Sequence, residues 1–406
     1  MRDLRAQALP FRSVLAGSGF DDLTGLDQLI GNARIVALGE GTHGTAEFFQ
    51  MKHRLLEYLV ARKGFTVFAI EGNWPEAQVA DRFIKTGEDD AVAALAAMYY
   101  WTWQTEEVSA LLHWMRHYNA TQGQRSVLSF AGFDMQVPNV AVKRVINFLD
   151  RTSNADRDAV RALYDGMEKL DKWGSGTSAS ENAQLADRAS KALHLIEAQR
   201  QALVMASTPE EYRDLRQAAR IVLQAFARRA GIPGAERDCA MAENVRWLIE
   251  EAFPGQKIVL WAHNGHVGTD MGSSEKSLGN HLRDRYGNKM VTIGFAAHQG
   301  EVRARRRVEG SAQPGPLIAA PLAPASKGSV EALFQEAGLP RFILDLRDLP
   351  KDSAVRSWLS KPRLHRMIGA VYSAEADSEY YAHVRLPQMY DAIVFIAEST
   401  AARPLK

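Results

Sequence analysis

The chain has 406 residues, 46% hydrophobic and 24% charged, a composition typical of a soluble globular protein large enough for a core plus an insertion. Its 49 basic and 48 acidic residues nearly balance, so no net charge would attract nucleic acid or an anionic membrane. The single cysteine, Cys239, excludes an intrachain disulfide, and no segment resembles a signal peptide or a membrane span, so we expect a cytoplasmic protein.

Short apolar runs rich in β-branched residues predict a series of strands. The runs are continuous rather than alternating, which is typical of parallel strands covered by helices on both faces. In chain order they are RIVAL (34–38), TVFAI (66–70), SVLSFAGF (126–133), KIVLWA (257–262), MVTIGF (290–295), FILDL (342–346) and AIVFI (392–396).

Helical patterns separate the early strands and fill the middle of the chain. Apolar residues recur at helical spacing over 45–63, and this pattern stops at Gly64. A second helix is predicted from Trp74, with Pro75 in its first turn. Residues 139–252 show helical periodicity and no strand pattern. The sequence therefore predicts an α/β fold with a mainly parallel sheet flanked by helices and a large helical insertion, divided into a core (1–138 and 253–406) and the insertion (139–252).

Polar residues follow four of the predicted strands where each strand ends. Glu40 and His43 follow the first strand, Glu71 follows the second, Asp134 follows the third, and His263 and His266 follow the strand that ends at 262. Ligands of open α/β sheets bind beyond the carboxyl ends of the strands, so we expect these side chains to converge. Imidazoles and carboxylates together suit general acid–base catalysis near neutral pH. Replacing His113 or His365, which follow no such strand end, is expected to have little effect.

Other catalytic chemistries are less well supported by the sequence. No G-x-S-x-G string is present, and Cys239 lies in a helical pattern that suggests a packing role, so an activated water is the simplest nucleophile. The H-x-x-H spacing of His263 and His266 makes a metal site conceivable, but there is no H-E-x-x-H string. We predict no metal ligands and no cofactor, with a metal-dependent hydrolase as an alternative.

Two further clusters allow more than one interpretation. The aromatic stretch MYYWTWQTEEV (98–108), which contains Trp101 and Trp103, could form an apolar wall for a bulky ligand or a helix–helix core. The basic run RARRR (303–307) could attract phosphate, although a solvated strand or loop fits the balanced charge of the chain better.

Five motifs, taken in order, resemble the erythromycin esterase family over nearly the whole chain. They are GEGTHGTAEF (39–48), IEGNWPE (70–76), WTWQTEEV (101–108), GFDMQ (132–136) and WAHNGHV (261–267). The resemblance implies hydrolysis of the macrolide lactone ester without a serine nucleophile, and hence macrolide resistance. It places the family's active-site residues on the glutamates and histidines at the strand ends: Glu40, His43, Glu71, His263 and His266.

The resemblance also bears on substrate binding. A family arginine on the first long helix falls on Lys52, or on Arg54 if the match slides by two residues. Lysine is a point charge without the bidentate fork of arginine, so a lysine here would change how substrate is oriented. The substrate-binding residues predicted in all are Lys52, Arg54, Trp74, Trp101, Trp103 and Asp134.

The sequence thus predicts a metal-independent carboxylic ester hydrolase with macrolides as the leading substrate. His43 would deprotonate water, and Glu71 or Glu40 would orient the imidazole ring of His43. His263 and His266 would polarise the carbonyl or protonate the leaving alkoxide. A non-catalytic small-molecule-binding relative is the other alternative. The expected partner is a small-molecule ester, with no nucleic acid and no membrane, and the oligomeric state stays open.

Overall fold

The structure is a computed structural model that describes residues 2–121, 127–152, 157–270 and 275–405. Ser126, the first residue of the predicted third strand, and residues 153–156 of the predicted insertion lie outside these ranges. The strands are β1 (Leu9–Pro10), β2 (Ile35–Leu38), β3 (Val67–Asn73), β4 (Ser129–Asp134), β5 (Ile258–Trp261), β6 (Met290–Arg306), β7 (Leu317–Leu322), β8 (Arg341–Asp345), β9 (Arg363–Arg366), β10 (Val371–Tyr372), β11 (Tyr381–Val384) and β12 (Ala392–Ser399).

A large mixed sheet contains most of these strands. Its order is β1-β8-β12-β6-β2-β5-β3-β4, with β7 and β10 also paired to β6. Strand β2 pairs in parallel with both β5 and β6, β3 is parallel to β5, and β12 is parallel to β6. Every residue of β2, β3 and β5 is buried, as expected for parallel strands covered on both faces. The predicted α/β fold with a mainly parallel sheet is confirmed.

One edge of the sheet differs from the prediction. Strand β8, predicted as one of the parallel strands, pairs antiparallel with β12, and β1 pairs antiparallel with β8. The basic run at 303–307 lies largely in the second half of β6, which pairs antiparallel with β7. Strands β9 and β11 form a separate antiparallel ribbon. A continuous apolar run reports that a strand is buried, but it does not report the strand's direction.

The helices lie mainly between strands. They are α1 (Arg2–Gln7), α2 (Leu26–Ile30), α3 (Ala46–Lys63), α4 (Trp74–Thr86), α5 (Ala91–Ala97), α6 (Glu106–Thr121), α7 (Asn139–Arg151), α8 (Arg157–Tyr164), α9 (Ala179–Ala198), α10 (Arg200–Met205), α11 (Pro209–Arg229), α12 (Arg237–Trp247), α13 (Asn264–Val267), α14 (Leu278–Tyr286), α15 (Val330–Gln335), α16 (Ala354–Leu359) and α17 (Leu386–Met389). No helix in the described ranges is long and apolar enough to cross a membrane.

Helix α3 shows how the sequence sets the local structure around the sheet. It ends where Gly64 takes the left-handed conformation, at φ 70°, which glycine adopts at no steric cost. Most of its circumference is buried, so two of its cations, Lys52 and Arg54, are buried with its apolar residues. Buried cations need partners, and those partners define much of the site described below.

The chain divides into two compact units. The first comprises Met1–Glu71, Val79–Ala131 and Gln256–Lys406, and the second comprises Gly72–Gln78 and Gly132–Gly255. In the second unit α9 begins with a capping box between Ser178 and Glu181, and Thr208 caps α11. The limits of core and insertion derived from the sequence remain a prediction.

Candidate active site

The carboxyl ends of the central strands lie at one level of the sheet. Leu38 of β2 pairs with Trp261 of β5, and Ile70 of β3 pairs with the same tryptophan. The residues that follow these positions are therefore neighbours, and they include the glutamates and histidines predicted from the sequence. The site described here lies within the first compact unit.

Two glycines allow the loop after β2 to approach the loop after β5. A Cβ atom on Gly39 would lie 2.2 Å from the Oδ1 atom of Asn264, and one on Gly41 would lie 2.8 Å from the carbonyl oxygen of Phe295. Neither position has room for a side chain without displacing its neighbours. The glycines of the first motif therefore serve close packing around Glu40.

Glu40 is fully buried and is held by three donors. Its Oε2 atom accepts hydrogen bonds from Lys52 Nζ at 2.7 Å and Trp261 Nε1 at 2.6 Å, and its Oε1 atom lies 2.7 Å from His43 Nδ1. Burial raises the pKa of Glu40, but Lys52 and His43 more than offset that effect, so the net pKa lies below its usual value. Glu40 is thus a buried carboxylate anion.

The carboxylate of Glu40 fixes the orientation of the His43 ring. Because Glu40 accepts at Nδ1, that nitrogen carries the proton, and Nε2 has the lone pair. In the part of the chain that the structure describes, Nε2 makes no hydrogen bond. The side chain is 14% exposed, so this nitrogen can accept a proton from an incoming water.

Glu71 connects the two histidines that follow β5. Its Oε2 atom accepts the backbone N–H of His263 at 2.9 Å, and its Oε1 atom lies 3.4 Å from His266 Nε2. Its own carbonyl oxygen accepts a hydrogen bond from Trp103 Nε1 at 3.2 Å. Glu71 therefore orients His266 and the start of the His263 loop together.

His263 uses both ring nitrogens in contacts with the backbone. Nδ1 accepts the N–H of Gly265 at 3.1 Å, and Nε2 lies 3.2 Å from the carbonyl oxygen of Ile368, so the proton is on Nε2. Its ring centre is 4.9 Å from that of His43 and 6.5 Å from that of His266. Removal from water, together with these two imidazoles, lowers the pKa of His263 to about 3.

The structure thus brings together the five side chains predicted to be catalytic. Direct hydrogen bonds, ion pairs or ring contacts link each of them to at least one other, in the order Glu40, His43, His263, Glu71 and His266. Their catalytic roles stay predictions.

Lys52 and Arg54, predicted to bind substrate, are both engaged within the protein. Lys52 is fully buried, and its Nζ atom lies 4.2 Å from the centre of the Trp261 ring. Burial lowers its pKa to about 8, although Glu40 opposes this shift. Arg54 donates to the carbonyl oxygens of residues 13 and 19 and pairs with Asp22. Lys52 is therefore the counterion of Glu40, and Arg54 fixes the N-terminal segment.

The predicted aromatic and acidic substrate contacts are placed differently. Trp103 is 2% exposed and packs on Trp261 with ring centres 5.5 Å apart, which favours the core interpretation, while Trp101 lies in the preceding turn and is partly buried. Trp74 and Asp134 belong to the second unit. There Trp74 packs edge-on against Trp247, and Asp134 is fully buried beside Arg237.

Sequence reasoning missed several residues around the site. Two of them, Asn264 and Ile368, lie in or contact the loops that carry the histidines. The other two are His365, which contacts Asn264, and Glu331, which contacts His365. Asn264 stands inside the motif WAHNGHV and could have been included from that position. The other three lie in no motif, and only the folded chain brings them near. His365 is fully buried against this network, a location that its place in the sequence does not indicate, and the effect of replacing it stays a prediction.

No group of three or more His, Cys, Asp or Glu side chains among residues 2–121, 127–152, 157–270 and 275–405 is arranged to hold a metal ion. The two nitrogens of His263 show why this cluster is a poor ligand set. Nδ1 uses its lone pair on Gly265, and Nε2 carries a proton, so coordination would require breaking one of these hydrogen bonds.

Comparison with known proteins identifies the family. The sequence model of the family described as "Erythromycin esterase" matches residues 60–399. The chain belongs to the erythromycin esterase family. The matched range contains Glu71, His263 and His266 and begins after Glu40 and His43, so the arrangement of that first pair rests on the geometry above.

Individual relatives of this erythromycin esterase family member are distant. The chain is 24% identical to Erythromycin esterase type II of Escherichia coli, with 85% of this chain and 88% of that protein covered. A crystal structure of a Bacillus cereus protein matches with a TM-score of 0.86 and 27% identity, over 99% of this chain and 98% of that one. A mutant erythromycin esterase in its open conformation matches with a TM-score of 0.72 and 18% identity over 98% of each chain, which shows the shared fold. Family membership supports a hydrolase of the macrolide esterase type.

Proposed function

We propose that the protein hydrolyses the lactone ester of a macrolide with a water molecule activated by His43. The observation that carries this proposal is the Glu40–His43 pair. Glu40, anchored by Lys52 and Trp261, fixes the proton on Nδ1, and Nε2 has no hydrogen-bond partner in the described ranges. An imidazole held in this way is suited to take a proton from water at Nε2.

The reaction follows from this arrangement. His43 Nε2 accepts a proton from water as the water oxygen attacks the ester carbonyl carbon. Glu40 stabilises the imidazolium that forms, because its carboxylate already accepts the proton of Nδ1. The tetrahedral intermediate then breaks its bond to the ring oxygen, and the leaving alkoxide receives the proton back. The product is a ring-opened hydroxy acid.

The other two histidines take different parts in this proposal. His263 has both nitrogens engaged with the backbone, so it holds its loop in place and does not transfer protons. His266, which lies 3.4 Å from Glu71, is then the residue that polarises the carbonyl. Trp74, Trp101 and Asp134 remain predicted substrate contacts. We expect the reaction to occur in the cytoplasm, where opening the macrolide ring would give resistance.

The experiment that tests this function is a turnover assay on erythromycin, other macrolides and a simple aryl ester, read by mass spectrometry. We expect erythromycin to gain the mass of one water. Activity that disappears on chelation and returns with zinc or manganese would support the metal-dependent alternative. A folded protein that binds a macrolide but hydrolyses no ester in the panel would support the binding alternative and contradict the proposal.

A further inference from the structure

Residues 365–368, here called the clamp segment, contact both loops that carry the candidate active site. The N–H of Ile368 donates to the carbonyl oxygen of Gly41 at 2.7 Å, in the loop that carries Glu40 and His43. The carbonyl oxygen of the same residue accepts the hydrogen bond of His263 Nε2 at 3.2 Å. One peptide segment therefore ties the loop after β2 to the loop after β5.

A second buried glutamate–histidine pair anchors the clamp segment. His365 Nδ1 lies 2.6 Å from Glu331 Oε1, both side chains are fully buried, and the N–H of Arg366 donates to the same oxygen at 2.9 Å. Burial raises the pKa of Glu331, but His365 and the backbone donor more than offset it, so the net pKa lies below its usual value. Glu331 is thus an anion, and His365 donates from Nδ1.

The other nitrogen of His365 faces Asn264. The amide of Asn264 has one possible orientation, because its Oδ1 accepts the N–H of Phe295 at 3.2 Å and its Nδ2 donates to the carbonyl oxygen of Phe295 at 2.8 Å. The second proton of Nδ2 is directed at His365 Nε2, 3.3 Å away, which must therefore accept. The backbone N–H of Asn264 donates to the carbonyl oxygen of Glu40 at 2.8 Å.

We propose that His365 is a positioning residue for ester hydrolysis. Paired with Glu331, it fixes Asn264 and the clamp segment. Through the carbonyl group of Ile368, and together with the N–H of Gly265, it sets the Nε2–H tautomer of His263 beside His43. This inference rests on the proposed function for its kinetic readout and adds a residue that touches no reacting atom. Its effect is to hold the two loops at the spacing that the His43 base requires.

The variants that test this proposal are chosen from the charges of the Glu331–His365 pair. His365→Leu alone would leave Glu331 as a buried anion without its donor side chain, a change that could prevent folding. The double variant E331L/H365L removes the carboxylate and its histidine donor together. It leaves the Arg366 N–H and one Asn264 Nδ2 proton without acceptors, but it avoids a buried, unpaired anion, which is the larger cost. His365→Gln is the conservative variant, because its amide can donate to Glu331 and accept from Asn264. The control is His113→Leu, an exposed histidine of α6.

The kinetic part of the test compares kcat with KM on erythromycin. We expect E331L/H365L to lose about 10–100-fold in kcat, as is typical when an outer-shell partner is removed, with KM changed by less than about threefold. His365→Gln should recover most of the loss, and His113→Leu should match the wild type. A double variant that folds and keeps wild-type kcat would overturn the proposal.

The second readout is the imidazole nitrogen spectrum of histidine-labelled protein, with the His263 signal assigned by its absence in His263→Gln. The wild type should show His263 protonated at Nε2 only, and the double variant should show a mixture of tautomers. Loss of kcat with an unchanged His263 tautomer would also overturn the proposal. If the wild type hydrolyses no ester, the proposed function fails, and the nitrogen spectra alone decide the positioning role.

Discussion

Two buried pairs of glutamate and histidine in this protein share the same hydrogen bond but differ in the surroundings of the second histidine nitrogen. Glu40–His43 and Glu331–His365 both join a carboxylate Oε1 to an imidazole Nδ1, at 2.7 and 2.6 Å. The Nε2 atom of His43 makes no hydrogen bond in the described ranges, and its ring is partly exposed, whereas the Nε2 atom of His365 is buried against Asn264. A carboxylate fixes the tautomer in both, and under the proposed function the surroundings of the second nitrogen would suit His43 to proton transfer and His365 to support.

The two carboxylates also differ in the number of hydrogen bonds that their second oxygen accepts. The Oε2 atom of Glu40 accepts from Lys52 and Trp261, whereas the Oε2 atom of Glu331 makes no hydrogen bond with any residue that the structure describes. In the proposed mechanism, the charge beside Glu40 changes during each turnover, when the imidazole of His43 becomes imidazolium. The additional donors would hold Glu40 in one position through that change, and a supporting pair has no such requirement.

The largest effect is expected at His43. Replacing it with alanine should reduce kcat at least about a hundredfold, because loss of a positioned base typically costs 10²–10⁴-fold. Steady-state kinetics on erythromycin with folded protein measures this, with His113→Ala as the unaffected control. If His43→Ala keeps more than about a tenth of the wild-type kcat, the comparison of the two pairs loses its basis, and the role of base passes to His266.

A smaller effect is expected at Lys52. Lys52→Met keeps the length and apolar stem of the side chain but leaves Glu40 fully buried without its cation, so desolvation should raise the pKa of that carboxyl and weaken its support of the imidazolium. We expect kcat to fall about tenfold or more. Lys63→Met on the same helix, where Lys63 pairs with Asp27 at the surface, is the matched control. Equal activities of the two variants would show that Glu40 needs no buried counterion.

The smallest effect concerns His263 and appears in stability. Its pKa falls from 6.5 to about 3 on folding, so between these values the unfolded chain binds a proton that the folded protein does not. Stability therefore rises with pH in this window and is lost on acidification. From pH 7 to pH 5 the wild type should lose up to about 2 kcal/mol more than His263→Gln in urea unfolding. Parallel losses in the two proteins would mean that His263 is not held neutral.

The sequence was sufficient for the parts of the site that depend on strand ends. Continuous apolar runs predicted β2, β3 and β5, and the polar residues after them meet because neighbouring parallel strands share their register. Gly64 marked the end of α3 for the same local reason, since its φ of 70° suits glycine. These features depend on residues close together in the chain.

Other features depend on contacts that no local pattern reports. The direction of β8 depends on its pairing with β12, almost fifty residues later. His365 meets its carboxylate partner Glu331 34 positions away and meets Asn264 101 positions away. Lys52 was predicted to bind substrate because it matches a family arginine, yet the buried face of α3 directs it to Glu40. Only the tertiary structure shows these pairings.

The most direct test of the central claim is a single turnover of erythromycin in water enriched in heavy oxygen, with enzyme in excess and with product and intact protein followed by mass spectrometry. If His43 activates water, the first-turnover product carries one heavy oxygen in its new carboxylate. The protein mass stays unchanged at every time point, and His43→Ala forms no product over the same interval. A protein that gains the mass of the macrolide during turnover, or a first-turnover product without heavy oxygen, would contradict the account.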